Sequence, residues 1–415
     1  MKKNAKFIDM FAGIGGFHEA MLKVDPNSTC VCAIEFDGAA QSVYKNSFGI
    51  DPLGDINNEN TIQGIDIAVE KNDGFDILFA GFPCQTFSKA GKREGFNDET
   101  RGTLFYKIEE LLKKYKPQYF VLENVRNLIN HKSNNQKSLK IIIDHLKKMG
   151  YEVRWSLLSP HRIKQDKFIP QLRERVFIYG KINSTEEELN QIRKNIESKF
   201  YSNKEFRDNL PTDFKKMKQN IERFLDKDND SIAELKIDEN TMKVLNIWEE
   251  LNQEIRADGG RLISPIWLDT IFNEENQKTD LEWKSNLINK NMEFYKKHKK
   301  VINKWYKKHN KLKGFNKTQR KFEWNANNTI ASIFEGIIHS RPSGIRVKKP
   351  DYFPTFVAIN QKPIINNKYI SPNEIKKLYG FQKVKLGSSY AESYKQLGNS
   401  VSADVSAIVI KELLR

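Results

Sequence analysis

The 415-residue chain carries 69 Lys and Arg against 53 Asp and Glu, a formal charge of +16 with a pI near 9.4. That length suits two or three domains, or one large α/β domain with an insertion. With 39% hydrophobic residues and a mean hydropathy of −0.64, no apolar run approaches the roughly 18 residues that span a bilayer, so no membrane association is expected.

Lys6 to Phe11 reads as a short buried strand, followed by a glycine turn and a helix beginning near Phe17. Met1-Lys2-Lys3 resembles the start of an export signal, but Asp9, Gly13, Gly15 and Gly16 break the apolar stretch, so export is not expected. Thr29–Ile34, Asp76–Ala80, Gln118–Leu122, Tyr151–Leu158 and Arg175–Tyr179 are further strand-like runs, separated by helical patterns such as Leu104–Tyr115 and Ser138–Met149. Such alternation predicts a parallel, doubly wound α/β sheet. After Gly180 the chain turns polar, Asn/Lys/Glu-rich and mostly helical in pattern to about residue 330, with an ordered island at Pro265 and Trp267. Ser340–Phe356 is turn-rich, and Ala403–Leu414 is an amphipathic helix. The prediction is an α/β domain, an inserted polar domain and a C-terminal return.

The charge is localised. Between Lys284 and Lys321 fourteen Lys/Arg face one acid, Glu293. A basic stripe is a footprint of nucleic-acid binding, and a solvated helix face explains it equally well. The three cysteines, Cys30, Cys32 and Cys84, are too few and too oddly spaced for a disulfide framework or a zinc site. A reducing, cytoplasmic setting without a metal follows as the expectation.

Four short motifs sit at strand ends. Phe11-Ala-Gly-Ile-Gly-Gly-Phe17 places Gly13, Gly15 and Gly16 after the first strand, where open α/β sheets bind ligands. Its Gly-x-Gly-Gly spacing disfavours a pyrophosphate, while Glu35 ends the second strand where a carboxylate can meet ribose hydroxyls. A nucleoside cofactor such as S-adenosylmethionine satisfies both, although a plain tight turn also accounts for the glycines. Gly81-Phe-Pro-Cys84-Gln puts a thiol at the same edge, as a nucleophile or as a packed small hydrophobe. Glu123-Asn-Val125 ends another apolar strand, and a glutamate near low-dielectric walls can keep a proton and act as an acid. In Gln171-Leu-Arg173-Glu-Arg175, alternation sets both arginines on one face, suited to a pyrimidine oxygen, a phosphate or ordinary strand-edge charge.

Taken in order, these motifs resemble the C5-cytosine DNA methyltransferase family of bacterial restriction–modification systems. Gly398-Asn-Ser-Val401 looks like that family's final motif, and Asp55-Ile56 like its adenine-binding motif after strand three. The resemblance implies a catalytic, S-adenosylmethionine-binding domain over 1–180 and 371–415, and a smaller DNA-recognition domain over 181–370. It implies that Cys84 is the nucleophile, Glu123 the acid, and Arg173 and Arg175 the groups steadying the base. For the cofactor it implies Phe11, the glycines 13, 15 and 16, Glu35, Phe36, Asp55 and Ile56, with Asn399 and Ser400 bridging cofactor and hinge. Phe36 stands where a number of relatives have tryptophan. The product would be S-adenosylhomocysteine.

Duplex DNA is the implied partner of a monomeric enzyme, with a cognate restriction endonuclease acting on the same site. Attack on a stacked base is impossible, so the cytosine must flip out. The glycine-hinged Ser88–Thr103 segment, with Lys92 and Arg93, is expected to close over it. Lys284–Lys321, interleaved with aromatic residues, is expected to contact phosphates. Arg341, Ser343, Arg346, Lys348 and Lys349 are expected to enter the major groove, where arginine reads guanine. Two rivals remain: a tRNA cytosine methyltransferase, whose branch carries a Cys-Phe-Thr signature not found in this chain, and an inert methylase-like binding protein. Intact Cys84, Glu123 and Arg173 oppose the second.

Overall fold

The computed structural model describes residues 3–82, 103–133, 136–165, 168–226, 232–273, 277–359 and 362–415. Chain contacts divide it into two compact units, Met1–Asn209 with Pro354–Ile359 and Ile375–Arg415, and Leu210–Phe353 with Asn360–Glu374.

The first unit is built on β1 (Lys6–Met10), β2 (Thr29–Ile34), β3 (Ile77–Gly81) and β4 (Tyr119–Val125). After a small ribbon, β5 (Lys132–Ser133) with β6 (Gln136–Lys137), come β7 (Tyr151–Leu158) and β8 (Arg175–Ile182). The main sheet runs in the order β2-β1-β3-β4-β8-β7. β1 pairs parallel with β2 and β3, and β3 parallel with β4. Phe7, Ile8, Leu78, Phe79, Phe120 and Leu122 are buried, as near-continuous apolar strands covered on both faces require. Truncating a ring such as Phe79 to Ala would cost roughly 3–5 kcal/mol.

One departure from the expected parallel sheet lies at its far side. β8 runs antiparallel to both β4 and β7. A parallel neighbour needs a crossover of a dozen or more residues, usually helical. Between β7 and β8, however, the only helical element among the described residues is the 3₁₀ turn Pro160–Arg162. Asp55 and Ile56 likewise follow a single parallel bridge between Leu53 and Ile34, not a full third strand.

The border between units also falls later than the composition shift at Gly180. Helix Glu186–Ser198, capped by the Thr185 side chain, buries Leu189, Ile192 and Ile196, and packs on β7 and on the C-terminal helix Ala403–Leu413. Its apolar stripe therefore belongs to the first core.

The second unit holds β9 (Ile266–Trp267), β10 (Lys321–Asn325), β11 (Ile337–Arg341), β12 (Gly344–Lys348), β13 (Ile364–Ile365) and β14 (Lys368–Tyr369), ordered β14-β13-β11-β12-β10-β9. Trp248 of helix Glu239–Ala257 stacks on Phe322 at 4.7 Å, and Trp305 of helix Lys299–Lys308 is buried beside it. Both indole N–H groups donate to backbone carbonyls, of Gln319 and Ile247. Buried indoles usually need such partners. The aromatic residues of the basic segment thus face a core: Phe294 is buried, and Tyr306 stacks on Phe272 at 3.7 Å. Lys296, Lys297, Lys299, Lys300, Lys304 and Lys307 remain exposed around them.

Candidate active site

The strand order switches at β1: β2 lies on one side of it and β3 on the other, all three parallel. The carboxyl ends of these strands form the crevice where open α/β sheets take ligands. At the end of β1 the backbone enters the left-handed region at Phe11 (φ 56°), Gly13 (φ 54°) and Gly15 (φ 90°), and helix Gly16–Val24 begins. The glycines are not equivalent. A Cβ on Gly16 would stand 2.5 Å from Val401 Cγ2, and one on Gly15 2.2 Å from the Phe48 ring. A Cβ on Gly13 would meet nothing within 4 Å. Two glycines serve packing, and the third faces open space.

Glu35, just past β2, ties this turn together. Its Oε2 accepts from Gly13 N at 2.8 Å, and its Oε1 accepts from Phe36 N at 3.0 Å and Asp37 N at 2.9 Å. Burial raises the carboxyl above its ordinary range, and those backbone N–H groups pull it back. Phe36 beside it is 73% exposed, unusual for so large an apolar ring. Phe11 is half-buried against the core. Ile56 lies inside that core, and Asp55 accepts from Asn57 N at 3.0 Å. Asp37 caps helix Gly38–Phe48 and pairs with Lys395 at 3.1 Å.

Gly81 at the end of β3 is the register partner of Glu123 in β4. Cys84 itself, with Ser88, Lys92 and Arg93, lies outside the described residues. Glu123 is 7% exposed, and Arg175 Nε lies 2.9 Å from its Oε1. That contact is an ion pair out of line for a good hydrogen bond, since Oε1 has no aligned donor among the described residues. Burial pushes the Glu123 carboxyl upward, with Arg175 and Arg173 opposing.

The two arginines do different things. Arg175 opens β8 and faces Glu123. Arg173 is 3% exposed, and its guanidinium donates to the carbonyls of Phe356 (3.0 Å), Gly398 (3.1 Å) and Ser400 (2.5 Å). It also lies 5.2 Å over the Tyr379 ring. Arg173 therefore fastens the segment 354–359 to the C-terminal motif, a role that its motif alone does not reveal. Around it the Arg173 Nε, both carboxamide atoms of Gln171 and the Tyr379 hydroxyl are buried without an aligned hydrogen bond among the described residues. Beside this polar group a cavity of about 290 Å³ is lined by Val125, Arg126, Asn127, Leu172, Glu174, Arg175 and Thr355. Ser400 is buried and its hydroxyl donates to Gln396 O at 2.8 Å, whereas Asn399 is exposed.

Of the expected DNA-reading residues, Arg341 borders the two-residue turn Pro342–Ser343, Arg346 lies two residues beyond its other border, Gly344, and the two share the carboxylate of Glu323. Ser343 is exposed at the turn. Lys348 is tied to Asp351, to the Tyr352 carbonyl and to the Tyr352 ring. Burial lowers its pKa. It is a structural lysine with little left to offer a partner. Glu323 escaped sequence reading because its role appears only once β10 is paired with β12. Among the described residues no group of three or more His, Cys, Asp or Glu side chains could hold a metal, and no helix is long and apolar enough to cross a membrane.

This is the architecture of S-adenosylmethionine-dependent methyltransferases. The S. pombe Dnmt2 methyltransferase matches 99% of this chain and 98% of its own with a TM-score of 0.52 at 17% identity. The Entamoeba histolytica methyltransferase EhMeth matches 100% and 98% with a TM-score of 0.51 at 16% identity. At such identities the likeness speaks for the fold. The family model for C-5 cytosine-specific DNA methylase matches residues 5–415, and the chain belongs to that family as a DNA cytosine-5 methyltransferase. The type II methyltransferase M.AluI of Cellulosimicrobium cellulans is 29% identical over 501 aligned positions, covering 100% of this chain and 93% of that protein. M.HpaII of Haemophilus parainfluenzae is 43% identical over 187 residues, 45% of this chain and 48% of the relative.

Proposed function

We propose that the chain methylates C5 of one cytosine in a specific duplex DNA site, using S-adenosylmethionine and a transient bond between Cys84 and C6 of that base. The observation that carries this reading is the register of Glu123 with Gly81, which sets a buried carboxyl beside the strand leading into Cys84. The residues at the first crevice suit the cofactor: Gly13 faces open space, Glu35 Oε2 keeps a lone pair for a ribose hydroxyl, and the Phe36 ring offers a face to adenine. When bound, S-adenosylmethionine supplies an electrophilic methyl group.

The protein's part is to make C5 a nucleophile. Addition of the Cys84 thiolate to C6 breaks the aromatic ring and places electron density on C5. Glu123 hydrogen-bonds the N3 edge and offsets the charge that develops there. Once C5 has formed its new carbon–carbon bond, loss of the C5 proton to a base and departure of the Cys84 sulfur restore the ring. Arg175 holds Glu123, and Arg173 holds the surrounding backbone. In this reading the first unit does the chemistry and the second reads DNA, with exposed lysines of the second contacting phosphates. In the same reading the enzyme is a cytoplasmic monomer that protects DNA from an endonuclease acting on the same site, and its likeness to type II methyltransferases supports the protective role.

The deciding assay is transfer of labelled methyl to duplex DNA and to tRNA, with Cys84→Ala as the control. Transfer to DNA, lost in Cys84→Ala, is expected. Transfer that survives the substitution, or that prefers tRNA, overturns the reading. Bisulfite sequencing of plasmid from expressing cells then identifies the site.

A further inference from the structure

The sheet of the second unit has two unlike faces. Side chains alternate along strands, so Phe322 and Trp324 of β10, Ile345 and Val347 of β12 and Ile338 of β11 join the core under the helices. Glu323, Arg346, His339 and Arg341 fall on the opposite face. The register aligns them: Glu323 is opposite Arg346, and Arg346 is opposite His339. Burial, followed by the two arginines, lowers His339 to about 4, so it stays neutral.

One carboxylate serves two guanidinium groups. Glu323 Oε1 accepts from Arg341 Nη2 at 2.5 Å, and Oε2 accepts from Arg346 Nε at 2.7 Å, with Nη2 also 2.7 Å away. Glu323 is 13% exposed, Arg341 21% and Arg346 37%. An arginine carries five N–H donors in a planar fork, so each retains donors beyond those facing Glu323. Arg341 adjoins the exposed turn Pro342–Ser343, and Arg346 lies on β12 two residues past Gly344.

Resting on the proposal that this unit meets duplex DNA, we infer that Glu323 is a positioning residue for sequence choice: it holds Arg341 and Arg346 as paired forks whose remaining N–H edges meet the acceptor edge of guanine. The charge balance selects a base over a phosphate. A carboxylate between two arginines cancels half their charge and so weakens the pull on a phosphate, whereas the N7/O6 edge of guanine is uncharged and accepts two hydrogen bonds. Two unrestrained guanidinium groups so close together would swing apart and lose that alignment.

The test uses the full-length enzyme, S-adenosylmethionine and a pool of duplexes randomised around the methylated site, with sequencing of every modified cytosine. Glu323→Gln is expected to relax discrimination at one base position by about tenfold or more, the scale of a lost bidentate contact, while kcat on the preferred site stays within about twofold. Arg346→Ala is expected to relax the same position. If Arg346→Ala relaxes it and Glu323→Gln does not, the positioning role is overturned and the DNA-reading proposal stands. If neither substitution changes preference and both only alter affinity uniformly, the face does not read bases and the underlying reading fails. Should Glu323→Gln not fold, Arg346→Lys, which keeps the charge but not the fork, must produce the same relaxation; an unchanged profile overturns the inference.

Discussion

Arg175 Nε lies 2.9 Å from Glu123 Oε1, across a strand pair that sets Glu123 opposite Phe177 and Val125 opposite Arg175. The contact balances two opposed effects on one carboxyl. Burial favours the protonated form, and the neighbouring arginines favour the anion.

If protonated Glu123 is the working form, kcat falls as pH rises through its raised pKa. Glu123→Gln should abolish that alkaline limb and lower kcat by about 100-fold, a common size for a lost acid. Arg175→Met removes a charge that lowers the pKa, so the limb should move to higher pH. A pH–rate profile with the limb unmoved in Arg175→Met would show that another group sets it.

Arg173 gives a different prediction, about folding. Its three charge-assisted bonds to buried carbonyls leave acceptors unsatisfied when it is removed. Arg173→Lys, with no fork, should cost about 2–4 kcal/mol, measured by urea denaturation. A variant with wild-type stability but reduced kcat would instead place Arg173 at the substrate.

The contrast between these arginines marks how far the sequence can be read. β1, β2, the glycine turn, Glu35 and Glu123 were legible because each depends on a few neighbouring residues: an apolar run, a turn, a carboxylate at its end. Arg173 looked equivalent to Arg175, yet its partners lie as far along the chain as Ser400. No local pattern encodes such a contact. The antiparallel course of β8 goes with a β7–β8 connection whose described residues hold no crossover helix. Glu323 became visible only through cross-strand register. The basic stripe was legible as charge, but its aromatic residues belong to a core.

The glycines separate packing from binding. Gly16→Ala drives a methyl group to 2.5 Å from Val401 Cγ2, where overpacking typically costs 1–3 kcal/mol. Gly13→Ala meets no atom but must hold a positive φ, at roughly 1–2 kcal/mol. Calorimetric titration with S-adenosylhomocysteine should therefore show the larger affinity loss, relative to its fall in Tm, for Gly13→Ala. Equal ratios for both variants would remove Gly13 from the cofactor surface.

His18 supplies a stability test. Its ring stacks on Phe48 at 4.1 Å and its Nδ1 lies 2.8 Å from the Tyr44 hydroxyl. Burial, with Lys383 adding to it, holds its pKa down at about 3. The folded state then binds fewer protons than the unfolded one below pH 6.5. The stabilisation is full above that pH and is lost as pH falls toward 3. The slope is about 1.4 kcal/mol per pH unit, or roughly 2 kcal/mol between pH 6.5 and 5. His18→Gln should flatten that part of the stability curve, and an identical slope would mean that other groups carry it.

The exposed lysines of helices Glu282–Lys297 and Lys299–Lys308 bear on affinity without sequence choice. A protein that neutralises Z phosphates loses binding with added salt at a logarithmic slope near −0.9Z. Replacing Lys296, Lys297, Lys299 and Lys300 with Gln should reduce that slope by about one for each lysine that contacts a phosphate. The site preference should not move, because phosphate contacts carry no base information. Fluorescence anisotropy with a cognate and a scrambled duplex across a salt series measures both quantities. A slope that stays constant in the quadruple variant would return these lysines to the role of a solvated face, and leave Arg341 and Arg346, on the two strands joined by the Pro342–Ser343 turn, as the DNA-contacting part of this unit.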